Sequence, residues 1–207
     1  MNDITIISII TKSHYFQADM DRLFALKILL DATILSNMDN FWVNELLPFS
    51  TDKNSKEIDA WLDSEKNELK KLFRFTILSS IFTTAYYHLE NEILFFSQIL
   101  AKDLNMEKEL DQIDDKGIKK ARSFLKKLKV EIPNQWSEIV NYGRIRNAIA
   151  HTAGIAKKDA LLDYINRTKN IDVDDINRII FSDNFIEKAF NNIQTFEHKL
   201  VENIKNA

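Results

Sequence analysis

An all-α fold is expected of this chain: a bundle of about five to six helices with an N-terminal helical extension and a small β-hairpin before the last helix. Three observations lead there. Only 3 Gly and 2 Pro occur in 207 residues, too few for the turns of a β-sandwich but enough for long helices with few connections. Hydrophobic residues make up 45% of the chain, which supplies one substantial core. Apolar positions also recur at helical spacing through most of the sequence. The division expected is an extension over residues 1–52 and a helical domain over 53–207.

At the amino terminus, the β-branched run Ile4-Thr5-Ile6-Ile7-Ser8-Ile9-Ile10 reads as a short edge strand or an ordered arm against a partner. It is too short to cross a bilayer, and Asp3 stands before it where a signal peptide would carry basic residues. No other stretch reaches the roughly 18 uncharged apolar residues of a membrane span, so a cytoplasmic protein with no membrane contact is expected. A helix is expected from about Asp19 to Leu47, with Leu23, Leu26, Leu30, Ile34 and Phe41 among its apolar positions. Pro48, followed by Ser50-Thr51-Asp52, ends it.

A long helical stretch follows from Ser55, a candidate N-cap, to about Leu104, as one helix or two in line. Its portion from Phe73 to Leu100 is dense in apolar residues and reads as the central helix of the core, with Phe75, Phe82, Tyr86, Phe95 and Phe96 as packing. His88 and Glu90 within it read as a buried hydrogen-bonded pair or as groups supporting a nearby site. A linker over Asp111–Asp115 leads to a helix from about Lys116 to Lys129. Its buried stripe is Ile118, Ala121, Leu125 and Leu128, and Lys119, Lys120, Arg122, Lys126 and Lys127 cover the remainder. Pro133 breaks the chain, and Trp136 opens the next helix as a packing residue. Gly154 ends that helix. Lys157–Arg167 is expected to be helical and Asn170–Phe181 a small hairpin, after which Ser182 and Asp183 cap a last helix reaching about Asn203.

The helix between Trp136 and Gly154 carries the most informative residues. Ile145, Ala148, Ile149 and Thr152 fall at i, i+3, i+4 and i+7 and form a core stripe. Arg144, Asn147 and His151 stack on the opposite side, and Arg146 lies beside them within reach of a long side chain. The hexapeptide Arg146-Asn147-Ala148-Ile149-Ala150-His151 thus sets a fixed cation and a titratable imidazole on an outward face.

Charge is unevenly spread. The formal net charge is −3, which alone speaks against non-specific nucleic-acid binding. From Lys116 to Lys158, however, eleven Lys and Arg against two Glu leave about +9, so the remainder carries about −12 and one segment concentrates positive field next to the Arg/His helix. The absence of cysteine rules out disulfides, Cys-ligated zinc and thiol chemistry in this sequence. There is no phosphate-binding Gly loop and no His-Glu-x-x-His, and His14, His88, His151 and His198 are too scattered for a metal site. Asp172, Asp174 and Asp175 lack the Gly and closing Glu of a calcium loop and read as a solvated turn. Neither a metal nor another cofactor is expected.

The Arg-Asn-x3-His sequence, with a short basic helix, a Pro turn and a Trp before it, resembles the HEPN superfamily (higher eukaryotes and prokaryotes nucleotide-binding domain) over roughly residues 70 to 205; residues 1–50 resemble nothing known. The resemblance implies an up-down helical core and a metal-independent ribonuclease site of Arg146, His151 and the polar Asn147. It also implies a homodimer whose motif helices form one composite cleft, with a role in bacterial antiviral defence or as a toxin restrained by an antitoxin or other regulatory protein. Toxins of one branch carry a modified Tyr two positions after the His. Ala153 stands there in this chain, which puts that route of neutralisation in doubt.

The residues suit such chemistry in their own right. RNA carries a 2′-hydroxyl able to attack its own phosphate. An imidazole, which ordinarily titrates near neutrality, suits proton transfer, and a guanidinium suits the charge of the phosphorane. Arg144, Lys119, Lys120, Arg122, Lys126 and Lys127 are the candidates for holding RNA. The competing readings are a non-catalytic helical module that binds RNA or protein, and an antitoxin-like or structural bundle whose acidic first half contacts a basic partner.

Overall fold

The computed structural model describes residues 1–41 and 55–207. Its elements in order are α1 (Asp3–Phe41), α2 (Ser55–Asp103), α3 (Glu107–Asp111), α4 (Gly117–Lys127), α5 (Trp136–Thr152), α6 (Asp159–Arg167), β1 (Ile171–Val173), β2 (Ile179–Phe181) and α7 (Asp183–Lys205). The fold is all-α, with one two-stranded antiparallel hairpin before the last helix. Among the described residues no helix is long and apolar enough to cross a membrane.

The first correction concerns the amino terminus, which is helical from Asp3 rather than a strand or arm. Asn2 explains the difference: its Oδ1 accepts from the Thr5 amide at 2.8 Å, an N-cap that satisfies one of the free donors of the first turn. Thr5, Ile9, Ser13, Phe16 and Met20 are then buried at helical spacing, so packing overrides the strand propensity of the isoleucines. The Asn2 amide also donates to Asp103 at 3.0 Å, pinning the start of α1 to the end of α2. Leu47, the Pro48 break and the 52/53 boundary lie outside the described residues. Ile9, Phe16 and Met20 belong to the same buried cluster as α2 and α7, so α1 shares the core of the domain it precedes.

Helix α2 is a single element of 49 residues against which α1, α4, α5, α7 and β2 all pack. Ser55 is its first helical residue. Around Phe82, the rings of Tyr142 (α5), Phe181 (β2) and Phe185 (α7) lie with centroids 5.7 to 6.2 Å away, joining four elements in one aromatic cluster. Such pairs add about 0.5–1.5 kcal/mol each to the burial of their surface. A short unexpected helix, α3, interrupts the way to α4, which starts at Gly117 and ends at Lys127; Phe124 joins Ile118, Ala121 and Leu125 in its buried stripe, while Leu128 falls just past its end.

The chain runs antiparallel along α2 in α5. A Cβ on Gly154 would meet the Phe75 ring at 2.5 Å and one on Gly143 the Tyr86 hydroxyl at 2.5 Å, so α2 positions rise as α5 positions fall. Ser182 caps α7 by accepting from the Phe185 amide at 3.2 Å. The hairpin pairs Ile171 with Phe181 and Val173 with Ile179. It also holds the end of α5, since the Ile179 amide donates to Gly154 O at 3.0 Å and the Ala156 amide to Asn177 O at 2.8 Å.

Candidate functional site

Helix α5 begins on Trp136, whose ring lies 6.1 Å from that of Phe196, and buries Ile139, Tyr142, Ile145 and Ala148. Its end is a left-handed cap. Ala153 adopts φ 51° and Gly154 φ 82°, and the Gly154 amide donates to Ala148 O at 3.0 Å, six residues back. Gly154 was expected to end the helix; the left-handed turn starts one residue earlier, on Ala153. This places His151 in the last turn, exposed.

Arg146 is about one quarter exposed and held on two sides. Its Nη1 donates to Asn147 Oδ1 at 2.9 Å, and its Nη2 lies 3.4 Å from Oε2 of Glu90 on α2. Asn147 is exposed and stands one turn before His151 on the same helix face. Arg144, also exposed, donates to Asn141 Oδ1 at 2.6 Å. Arg146 and Asn147 are therefore in contact, with Arg144 and His151 a turn to either side along the outward face.

Behind them is a packed floor. Tyr86 is buried against Gly143, and burial first, then the charge of Glu90, raise its hydroxyl well above the ordinary range, with Arg146 opposing. The phenol is a neutral group across neutral pH. Glu90 also abuts Gly117, the first residue of α4, where a Cβ would collide with its Oε1 and where φ is +54°. One carboxylate thus links the Arg/His helix to the start of the basic helix. The pair read between His88 and Glu90 does not form. Residues two apart on a helix point to different faces, and His88 sits beside the Tyr87 ring while Glu90 turns to Arg146. The signal for the floor was the Tyr86-x3-Glu90 spacing, which sets both residues on one face of α2.

On α4, Lys119, Lys126 and Lys127 are exposed and Lys120 partly so. Arg122 stands apart from them. Its guanidinium lies 4.6 Å from the centroid of the Trp136 ring and its Nε is buried, so it braces α4 against the start of α5 rather than facing solvent with the lysines. Asp174 Oδ1 accepts from the Ile176 and Arg178 amides at 3.1 and 2.7 Å, closing the hairpin turn that the three aspartates were read as. Among the described residues no three His, Cys, Asp or Glu converge in a metal-binding arrangement. Compared with family models, with curated proteins and with solved structures, the chain matches none of them.

Proposed function

We propose that this protein is a metal-independent RNA endonuclease of the HEPN type, acting on cytoplasmic RNA in bacterial defence or as a toxin. The observation that carries the reading is the shared outward face of α5. There Arg146 is oriented from behind by Glu90 and beside by Asn147, and His151 follows one turn on. In the reaction, a 2′-hydroxyl oxygen attacks the adjacent phosphorus and gives up its proton to an imidazole. The phosphorus–5′-oxygen bond breaks, and the leaving oxygen takes a proton from a second imidazole. The products are a 2′,3′-cyclic phosphate and a 5′-hydroxyl. Arg146 stabilises the phosphorane. A single chain supplies one such His, so the second comes from another copy across a two-fold axis. The lysines of α4 hold the RNA strand by its phosphates.

A non-catalytic RNA-binding module is the second reading, favoured by the ion pair that engages Arg146 with Glu90 inside the chain. One experiment separates them. Wild-type protein and His151→Ala are incubated with a mixed pool of cellular RNA in EDTA, and the new ends are characterised. Cleavage by wild type alone, leaving cyclic phosphates, supports the nuclease; intact RNA in both lanes, with binding retained, sinks it in favour of the module.

A further inference from the structure

Helix α1 turns one face to the core and leaves an apolar stripe on the other. Ile4 is 77% exposed, Tyr15 65% and Leu29 64%, with Ile7 and Leu26 also open. Their spacing keeps them on one line along the helix, and the small residues Ser8 and Ala25 lie between them. Five large apolar side chains in one outward row exceed the scattered exposure of ordinary surfaces.

The row is self-complementary in one orientation. When two copies of α1 are laid antiparallel about a two-fold axis, Ile4 comes level with Leu29, Thr11 with Arg22 and Tyr15 with Ala18. Ile7 then meets the small Ala25, and Ser8 meets Leu26. The flanks match in charge as well. Lys12 on one edge comes beside Asp19 of the second copy, and His14 on the other edge beside Asp21. A parallel two-fold would instead carry each edge across to the opposite one, setting Asp19 beside Asp21 of the second copy and Lys12 beside His14. Lys12 and Asp19 are each about half exposed while engaged within their own chain, with Glu92 and Arg22, so their charge is available at the edge.

We infer that the outward face of α1 is an isologous docking surface for α1 of a second copy of this chain, packed antiparallel. The inference goes beyond the nuclease reading and does not rest on it, because Arg146 and His151 lie on a different helix. Both copies present Tyr15 near the axis, and Ile4–Leu29 contacts close the two ends.

The chain has no cysteine, so introduced ones report without background. Three variants are oxidised mildly and run without reductant: Thr11→Cys, Arg22→Cys, and the double variant. Efficient covalent dimer from the double variant with little from either single one is the expected result, because each Cys faces the other position. Dimer from each single variant shows a parallel contact, and no dimer from any of the three shows that α1 does not self-associate; both overturn the inference. In the full-length protein without cysteine, Ile7→Glu is expected to weaken self-association at least tenfold by sedimentation equilibrium while its helical circular dichroism is unchanged. A dimer indifferent to Ile7→Glu would place the contact elsewhere. RNA cleavage, assayed separately, leaves this outcome untouched.

Discussion

Oε2 of Glu90 lies 3.4 Å from Nη2 of Arg146, tying α2 to α5 across 56 positions of sequence. Both side chains are mostly shielded, at 20% and 27% exposed, yet neither is cut off from water. A pair of that kind contributes at most about 1 kcal/mol to stability, so its main effect is on where the guanidinium points. Glu90→Gln is therefore expected to leave the melting temperature within a few degrees of wild type. On the nuclease reading proposed above, RNA cleavage is expected to fall on the order of 10- to 100-fold, because a loosened Arg146 would no longer meet the phosphorane in register. Unchanged cleavage with unchanged folding would show that Arg146 needs no anchor.

Ala153 holds φ 51° in the left-handed region at the end of α5, a conformation that costs a residue with a Cβ about 1–2 kcal/mol. Its side chain is exposed. Ala153→Gly should relieve that strain with a net gain of about 1 kcal/mol, a rise of roughly 2–4 °C in Tm for a chain of this size. Gly154→Ala should act in the opposite direction, since φ 82° and the Phe75 ring both oppose a Cβ there. Thermal melts of the two variants check this. A destabilised Ala153→Gly would mean that the cap is not left-handed.

The six basic candidates divide into two groups by environment. Arg122 stacks on Trp136 at 4.6 Å, so Arg122→Ala should cost about 0.5–1 kcal/mol of stability and leave RNA affinity near that of wild type. Lys126→Ala with Lys127→Ala should do the reverse. Both side chains are exposed at the end of α4, and on the proposed RNA-directed reading their loss should weaken RNA binding and lower the slope of log affinity against log salt by about 2. Filter binding over a salt series, read beside denaturation curves, separates the two effects. Equal salt slopes for all variants would remove α4 from the RNA contact.

Most helices were legible because their signals are local: the stripe Ile118, Ala121 and Leu125, the Ser182 cap, and the Gly154 terminus each act over one or two turns. The outward face of Arg144, Asn147 and His151 followed from periodicity alone. What escaped depends on contacts distant in sequence. The isoleucines after Asp3 favour a strand on their own. They became helix because α2 and α7 bury Ile9, Phe16 and Met20 and because Asn2 closes the first turn against Asp103. Likewise nothing near Arg122 in sequence says that Trp136 will cover it, and nothing near Arg146 says that Glu90 lies behind it.

Glu92 gives the fold a pH dependence of defined sign. It is buried on α2 with the Lys12 ammonium 3.6 Å away, and among the described residues its second oxygen is buried without a hydrogen bond. Burial above all pushes its carboxyl up from 4.5 to about 7; Lys12 opposes the shift, and the nearby Glu197 carboxylate adds to it. An acid whose folded value is raised keeps its proton in the native state while the unfolded chain releases it. Its contribution to stability is then fully present below about pH 4.5 and is lost as the pH rises through about 7, with no further change above. The loss is at most about 3 kcal/mol. Glu92→Gln imitates the protonated form, so it should match wild type near pH 4.5 and exceed it at pH 8. Urea denaturation of both proteins at the two pH values makes the comparison, and the difference between them cancels every other titrating group. A Gln variant less stable than wild type at pH 8 would show that the ion pair with Lys12 outweighs the burial of the charge.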